Sequence, residues 1–409
     1  MSKLAILGGE PIRTKSFPTW PVHNDDELNG LIEVLNSGKW GSTKGNRVKD
    51  FEQNYADYHN AKYGICVNSG TTALYISLRA AGIGCGDEVI LPGYTFIATA
   101  TAIIDVGAIP VFVDIDPETY NIDPSLIEEK ITSKTKAIMP VHFAGRPADM
   151  DALLKLANKH DLKIIEDAAQ AWGSEWSGQK VGAIGTAGCF SFQSSKNITA
   201  GEGGIILSND EETAMFARSF SNCGRLENGV WYEHYYLGGN YRMTEFQAAL
   251  LQAQFNRYPE LMAIRQRNSD ILDEQLPGIE GVKILKTDPK VTNNSRHIYI
   301  WRYQKEAFNN VPKDTFINAM RKEGMYISPG YSIPLTAQPV LKEQAFGPRG
   351  KKVDLGIDYE SVSLPETDKA CYDEAIWFTQ NVLLGTEDDM ADIIKAIKKV
   401  QENSADLVQ

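Results

Sequence analysis

The chain has 409 residues, 43% of them hydrophobic and 23% charged, so it is long enough for two packed domains and does not have the composition of a disordered protein. Its formal net charge of -12 opposes a general affinity for nucleic acid or for an anionic membrane. The five cysteines are scattered, odd in number and lack a C-x-x-C pair, which favours buried thiols in a reducing compartment and indicates neither disulfides nor a metal site.

The amino-terminal stretch "MSKLAILGGEPIRTKSFPTWP" does not have the pattern of a signal peptide, because its apolar run is short and is interrupted by Gly-Gly and Pro. No run of about 18 uncharged apolar residues follows it. We therefore expect a cytoplasmic protein with no membrane partner and no nucleic-acid partner.

From about residue 60 to residue 210, short β-rich runs alternate with helix-like segments. This alternation predicts an α/β fold with a three-layer, mainly parallel sheet that has helices on both faces. Ligands bind such sheets at the carboxyl ends of the strands, so the residues that end each run are the candidates for chemistry. The runs that we interpret as strands are "YGICV", "DEVIL", "PVFVDI", "KAIMPVHF" and "LKIIED", and the interleaved helical segments are "TTALYISLRAAGI", "TFIATATAIIDVG", "PSLIEEKIT" and "MDALLKLANKHD".

A second, smaller α/β domain is predicted after the long helical pattern that starts at "MTEFQAALL". The segment "HIYIWRYQ" is typical of a strand, and "KDTFINAMRKEG" and "EDDMADIIKAIKKVQEN" are typical of amphipathic helices. We place a large domain with an amino-terminal arm at residues 1–257 and a small carboxy-terminal domain at residues 258–409.

The first candidate site is "NSGTT", where Gly70 and Thr71 stand at the expected start of a helix. Free backbone N–H groups there suit a phosphate, although the hydroxyl of Ser69 or Thr71 can equally serve as an ordinary helix cap. In the next run, "GYTF", Tyr94 and Phe96 follow a strand; either can stack on a flat ring, or pack in the core.

Acidic and basic candidates follow two later strands. Glu166 and Asp167 end "LKIIED", where a carboxylate can hold a cationic ligand atom or can merely cap the following turn. Lys196 follows "CFSFQ", which contains Ser191, and a desolvated lysine amine at a strand end can act as a nucleophile, whereas most lysines are solvated surface charges. A phosphate cradle, a ring stacker, a partner for a pyridinium nitrogen and a reactive lysine are together the parts that pyridoxal phosphate requires.

The ordered motifs "NSGTTAL", "GYTFIATATAI", "PVFVDID", "PVHFAGRPADM", "EDAAQAWG", "SFQSSKNITAGEGG" and "GGNYRMTEFQAAL" resemble those of the DegT/DnrJ/EryC1/StrS family, and the resemblance covers nearly the whole chain. These are fold type I aminotransferases that use pyridoxal phosphate to aminate keto-sugars and keto-cyclitols. The resemblance implies a pyridoxal-phosphate aminotransferase that takes an amino group from glutamate or glutamine by a ping-pong mechanism. It also implies a homodimer with a shared active site.

Residue roles follow from the same resemblance. Lys196 would form a Schiff base with the cofactor and move the proton, and Asp167 would pair with the pyridinium nitrogen. A minority of relatives carry histidine in place of this lysine and act as dehydratases, so Lys196 favours amination. The remaining implied cofactor contacts are Gln170 to the ring hydroxyl, Phe96 stacked on the ring, Gly70, Thr71 and Ser191 at the phosphate, and Asn240 reaching the phosphate from a second subunit.

The ketone itself is left open. Ala144 stands where many relatives carry an aromatic residue and Trp172 where histidine is common, and both are expected to reshape the substrate pocket. The stretches "GGEPIRTKSFPTWP" and "GKWGS" look more like the branch that acts on inososes or makes aminohydroxybenzoate than like the nucleotide-sugar branch. Participation of Arg242, Glu202 and His142 is also open; for His142 a structural, hydrogen-bonded role is favoured.

Three alternatives stay open. Two are enzymes: a dehydrating or aromatising relative of the aminohydroxybenzoate synthase type, which keeps the same lysine, and an aminotransferase for nucleotide keto-sugars. The third is a cofactor-binding regulator, which would need a DNA-binding helix-turn-helix with a basic face, and the sequence has no such segment.

Overall fold

The computed structural model describes residues 3–408. Its strands and helices occur in the order that the sequence predicts for an α/β protein. The strands are β1 (Tyr63–Val67), β2 (Glu88–Pro92), β3 (Ile109–Val113), β4 (Thr135–Ile138), β5 (Lys163–Asp167), β6 (Glu175–Trp176), β7 (Gln179–Lys180), β8 (Ala187–Ser191), β9 (Gly204–Ser208), β10 (Val282–Ile284), β11 (Val291–Asn293), β12 (Ile298–Tyr303) and β13 (Ala375–Thr379). The α-helices are α1 (Asp25–Ser37), α2 (Arg47–Tyr58), α3 (Gly70–Ala80), α4 (Ala98–Asp105), α5 (Met150–His160), α6 (Glu211–Ser221), α7 (Glu245–Gln275), α8 (Lys313–Lys322), α9 (Pro339–Lys342), α10 (Pro365–Lys369) and α11 (Glu387–Glu402).

Seven strands form the central sheet, in the order β1-β9-β8-β5-β4-β2-β3. Neighbouring strands are parallel except at β9, which runs antiparallel to both β1 and β8. Consecutive side chains of a strand point to opposite faces, and in β1 Cys66 belongs to one hydrophobic cluster while Ile65 and Val67 belong to another. The predicted three-layer, mainly parallel α/β fold is thereby confirmed.

One predicted helix is wrong. The segment "PSLIEEKIT" forms two short 3₁₀ turns, Pro124–Leu126 and Glu128–Lys130, and no α-helix. The segment has nine residues, and so short a stretch gains too few hydrogen bonds to offset the cost of starting an α-helix.

The carboxy-terminal region has a second sheet, in the order β10-β12-β13, with antiparallel pairing throughout. Its hydrophobic core includes Trp301 and Phe378 from the sheet and Ile393 from α11, and Leu4 from the amino-terminal segment packs into the same cluster. Helix α7 is continuous from Glu245 to Gln275, so the boundary that we predict near residue 258 lies within it.

No helix among residues 3–408 is both long enough and apolar enough to span a bilayer. Over the same residues, the structure has no group of three or more His, Cys, Asp or Glu side chains placed to hold a metal ion.

Candidate active site

A cavity of about 440 Å³ lies at the carboxyl ends of β5 and β8 and at the start of α3. All but one of the residues that the sequence suggests for the cofactor site line this cavity. Asn240 is the exception: it is exposed on the segment before α7 and does not line the cavity within a single chain. The predicted residues that the structure brings together are Gly70, Thr71, Phe96, Asp167, Gln170, Ser191 and Lys196.

Lys196 lies in a turn that follows β8, and its backbone N–H donates to the carbonyl of Gln193 at 2.9 Å. Its Nζ lies 6.0 Å from the centre of the buried Trp172 ring. Burial lowers the pKa of the Lys196 amine to about 8, and the negative charge of Asp167 partly opposes that shift. Roughly a tenth of the amine is therefore unprotonated at pH 7, which makes it a usable nucleophile.

Asp167 ends β5 and is only 5% exposed. One carboxylate oxygen accepts a hydrogen bond from the hydroxyl of Thr99 at 2.8 Å, and the other accepts from the backbone N–H of Ala169 at 3.2 Å. Burial raises the pKa of Asp167, while the Thr99 hydrogen bond and the charge of Lys196 oppose the rise. A cation placed against this carboxylate would remove much of the cost of burying its charge.

The start of α3 forms an amide-rich cradle. The hydroxyl of Ser69 accepts from the N–H of Thr72 at 3.1 Å and so caps the helix, as one of the two readings of "NSGTT" predicts. The N–H groups of Gly70 and Thr71 precede the first complete turn and have no helical carbonyl to bind. A Cβ on Gly70 would lie 2.7 Å from the Cβ of Ser191, so only glycine lets the helix approach β8 this closely.

Two side chains flank the space between the cradle and Asp167. Phe96 lines the cavity and is 57% exposed, which is unusual for a phenylalanine in a packed domain. Gln170 is buried; its Oε1 accepts from the N–H of Ala144 at 2.8 Å, and its Nε2 lies 3.5 Å from the hydroxyl of Tyr331. The amide orientation of Gln170 is thereby set, with its N–H groups directed toward the cavity side.

The structure shows which of the residues left open by the sequence line the cavity. Glu202 lines the cavity, whereas Arg242 bonds to Asn222 at 2.9 Å and lines a different depression. His142 is fully buried between Glu166 and the backbone N–H of Ala148, at 3.0 and 3.1 Å, so its role is structural. Neither Ala144 nor Trp172 lines the cavity, but Ala144 contacts two residues that do: its N–H donates to Gln170, and its carbonyl accepts from the N–H of His297 at 3.1 Å.

Glu166 binds a loop and does not face the cavity. Its two carboxylate oxygens accept hydrogen bonds from three backbone N–H groups, those of Gly182, Ile184 and Gly185, at 2.6 to 2.9 Å. The carboxylate therefore fixes the connection into β8, the strand that leads to Lys196.

The sequence does not single out several residues that line or support the cavity, among them Thr99, His297, Tyr331 and Trp377. Thr99 follows Phe96 by three residues, and this spacing within a helix was an available signal. The other three belong to the carboxy-terminal region, and no local pattern indicates that they meet β5 and β8.

The residues present fit pyridoxal phosphate on the evidence of their geometry. The close approach of Gly70 to Ser191 leaves a helix N-terminus open to a phosphate, the exposed Phe96 ring can cover a flat ring, and a buried carboxylate is available to a ring cation. The amine with lowered pKa completes the set.

Comparison with known proteins gives the same result. The DegT/DnrJ/EryC1/StrS aminotransferase family matches residues 21–396. A putative L-glutamine:3-amino-2,3-dideoxy-scyllo-inosose aminotransferase of Streptoalloteichus tenebrarius is 39% identical over 98% of this chain and 98% of its own length, and an L-glutamine:2-deoxy-scyllo-inosose aminotransferase of the same organism is 36% identical over 99% of each chain. Among solved structures, that of 3-amino-5-hydroxybenzoic acid synthase has a TM-score of 0.85 and 34% identity, covering 95% of this chain and 99% of that one.

Proposed function

This chain belongs to the DegT/DnrJ/EryC1/StrS aminotransferase family and is a pyridoxal-phosphate-dependent transaminase, and we propose that it transfers the amino group of glutamine to a ketone on a polyhydroxylated ring. The observation that carries the proposal is the convergence of Lys196, with its lowered amine pKa, and buried Asp167 on one cavity. The inosose names of the similar chains support a keto-cyclitol as the substrate.

When it is bound, pyridoxal phosphate supplies an aldehyde that takes up amino groups and a protonated ring that accepts electrons as a proton leaves the neighbouring carbon. Asp167 would hold the ring nitrogen protonated by Coulomb attraction, and Thr99 positions that carboxylate. Gln170 would bind the ring hydroxyl, and Phe96 would lie against the ring. The amine of Lys196 would hold the aldehyde and would serve as the group that takes up and returns a proton.

The phosphate is bound by the first amides of α3, from Gly70 and Thr71, together with the Ser191 hydroxyl. Asn240 adds a contact from a second copy of the chain, so the active unit is a homodimer. The exposure of Asn240 and of large apolar side chains nearby, Trp231 at 76% and Leu237 at 90%, supports burial of this segment by a partner.

A neutral ring substrate is supported by the charges in the cavity. Among the residues that the structure describes, Lys196 is the one lysine or arginine in the lining, and several neighbours carry hydroxyls, such as Thr95, Tyr331 and Thr379. A nucleotide sugar would bring two phosphate charges that this chain alone does not neutralise. A polyol ring requires hydrogen bonds and no cation, so it fits better.

The proposal also covers the cellular compartment and the division of the chain into domains. We place the enzyme in the cytoplasm, because its donor and cofactor belong to central metabolism in that compartment. The cytoplasm is reducing, which also suits the free cysteines. We also divide the chain into a large cofactor-binding domain with an amino-terminal arm, residues 1–257, and a small domain, residues 258–409.

The test is incubation of the purified holoenzyme with 2-deoxy-scyllo-inosose and glutamine labelled with ¹⁵N at the α-amino group, followed by mass detection. We expect the label in the cyclitol product. Loss of water without label would instead identify a dehydrating or aromatising relative, and no change with any polyhydroxylated ketone would overturn the proposal.

Lys196→Ala provides the cofactor test. We expect it to abolish the near-visible absorbance of the bound cofactor and to stop turnover, because the described part of the chain places no other lysine in the cavity lining to hold the aldehyde. Lys136→Ala, which removes an exposed lysine of β4, should keep both. An unchanged spectrum in Lys196→Ala would refute the role assigned to Lys196.

A further inference from the structure

Three of the buried histidines differ in how their ring nitrogens are used. In His59, Nδ1 lies 3.0 Å from the carbonyl of Tyr55, and Nε2 accepts from the N–H of Gly173 at 3.1 Å. In His142, both nitrogens also have protein partners. His297 has one partner among residues 3–408, at Nδ1, and it lines the active-site cavity.

The tautomer of His297 follows from its neighbour Asn197. The Nδ2 of Asn197 donates to the carbonyl of Ser295 at 2.7 Å, which fixes the orientation of the amide. The Oδ1 of Asn197 lies 2.9 Å from Nδ1 of His297 and can only accept, so Nδ1 carries the hydrogen. In a neutral ring, Nε2 is then an acceptor with a free lone pair.

The surroundings keep this ring neutral. Burial is the main reason that the pKa of His297 lies well below its ordinary value, and the charges of Lys196 and Arg265 lower the pKa further. Trp172 packs edge-on against the ring, with 5.4 Å between centroids, and holds its plane. The acceptor is thus held rigidly beside the reactive lysine.

We propose that Nε2 of His297 binds a ring hydroxyl of the ketone substrate and so selects polyhydroxylated ketones over ketones that lack this hydroxyl. The inference rests on the proposed function, since it concerns the second substrate of the same cavity. An oriented acceptor without a protein donor is what a hydroxyl requires, and an analogue without that hydroxyl leaves the buried nitrogen unpaired. Experiment can distinguish this role from one in which His297 only supports the backbone around Lys196.

The first experiment follows the two half-reactions of the holoenzyme separately, by the absorbance of the cofactor. In His297→Met, which replaces the acceptor nitrogen with an apolar side chain whose sulfur accepts only weakly, we expect the reaction with 2-deoxy-scyllo-inosose to slow about tenfold in kcat/KM, as for a lost hydrogen bond. The reaction with glutamine should stay within about threefold, since glutamine has no ring hydroxyl to lose. Equal slowing of both half-reactions would overturn the proposal.

A conservative variant and a matched control refine this result. His297→Gln keeps an acceptor oxygen and should react with the ketone faster than His297→Met. His59→Gln alters another buried histidine outside the cavity, so it should lower the thermal unfolding midpoint without changing the ratio of the two half-reactions. A changed ratio in His59→Gln would show that general loosening, and not the Nε2 atom, sets the preference.

The second experiment needs no turnover. In protein labelled with ¹⁵N at histidine, NMR should show Nε2 of His297 without a hydrogen, assigned by its absence from His297→Met, and its resonance should shift as myo-inositol or the ketone is added to saturation. A protonated Nε2, or one that does not respond, overturns the proposal. If the wild-type enzyme aminates no polyhydroxylated ketone while Nε2 still responds to myo-inositol, the proposed function fails and the hydroxyl site stands.

Discussion

At the scale of single residues, burial determines the chemistry of Lys196. The lowered pKa has a direct consequence for the apoenzyme: the amine loses its proton at a lower pH than an ordinary lysine does. We expect labelling of Lys196 by acetic anhydride to be half-maximal near pH 8, read by mass spectrometry of the peptide that contains it. In guanidinium chloride the midpoint should rise to about 10.4, the value of a solvated lysine.

The sign of the associated stability change is also fixed. Between pH 8 and the ordinary lysine pKa, the unfolded chain binds more protons at this position than the folded chain does. The contribution of Lys196 to the free energy of unfolding of the apoenzyme therefore rises as the pH increases through that window. A labelling midpoint that is the same in folded and unfolded protein would contradict both expectations.

Asp167→Asn tests the proposed partner of the ring nitrogen. The amide keeps the shape of the side chain and can still meet Thr99, but it carries no charge to hold a proton on the ring. We expect kcat for the glutamine half-reaction to fall by at least about 100-fold, the scale of losing a pre-oriented electrostatic group. Asp161→Asn changes an exposed aspartate at the end of α5 and should leave the rate unchanged; a comparable loss there would point to a nonspecific effect.

Single residues also show how far the sequence could predict the site. Asp167 ends a strand, Gly70 begins a helix and Lys196 lies in the turn that follows β8, so topology alone makes them neighbours. His297 and Tyr331 come from segments far along the chain, and their contacts depend on how the second sheet packs against the first. No local periodicity encodes that packing.

At the scale of elements, the start of α3 is fitted to β8. Gly70→Ala would place a methyl group 2.7 Å from Ser191 and force the helix and strand apart. We expect overpacking to cost about 1–3 kcal/mol in the free energy of unfolding and the affinity for pyridoxal phosphate to fall about tenfold, measured by spectroscopic titration. Gly278→Ala, where an added Cβ meets no atom within 4 Å, is the control and should change neither quantity.

The loop before β8 depends on the charge of Glu166. Each of its oxygens accepts at least one backbone N–H, so in Glu166→Gln the new NH₂ group must face a donor in either orientation. We expect the free energy of unfolding to drop by about 3 kcal/mol in denaturant melts. Glu129→Gln, on an exposed turn, should change it by less than about 0.5 kcal/mol; a loss that small in Glu166→Gln would refute the role of the carboxylate in the loop.

Element boundaries were harder to predict than element types. The apolar runs identify the central strands because strands buried on both faces are nearly continuous in hydrophobic residues. The stretch from Pro124 to Lys130 has helix-forming residues, yet it forms 3₁₀ turns, because so few residues gain too little from propensity to offset the cost of starting an α-helix. Likewise, the pattern near residue 258 indicates a change of domain, while α7 continues through it.

At the scale of the whole molecule, the proposal that two subunits share each active site makes a quantitative prediction. If Asn240 acts in the cavity of a partner, a mixture of inactive Lys196→Ala and weakened Asn240→Ala chains should form heterodimers with one fully native site. Random pairing of equal amounts restores about one quarter of the wild-type sites. The measurement is turnover after the two chains have been refolded together. If heterodimers form and turnover does not recover, then either Asn240 and Lys196 of one chain act in the same site, or Asn240 does not act in the site.

The amino-terminal segment packs into the hydrophobic core of the carboxy-terminal region. Leu4 is fully buried there, the N–H groups of Ala5 and Ile12 donate to Glu323, and Lys399 reaches the carbonyl of Glu10 across 389 positions of sequence. During synthesis this segment is made well before α11, which carries Lys399. Its contacts with α11 can therefore form only after the intervening sheets and helices have been translated, so this part of the fold is completed late.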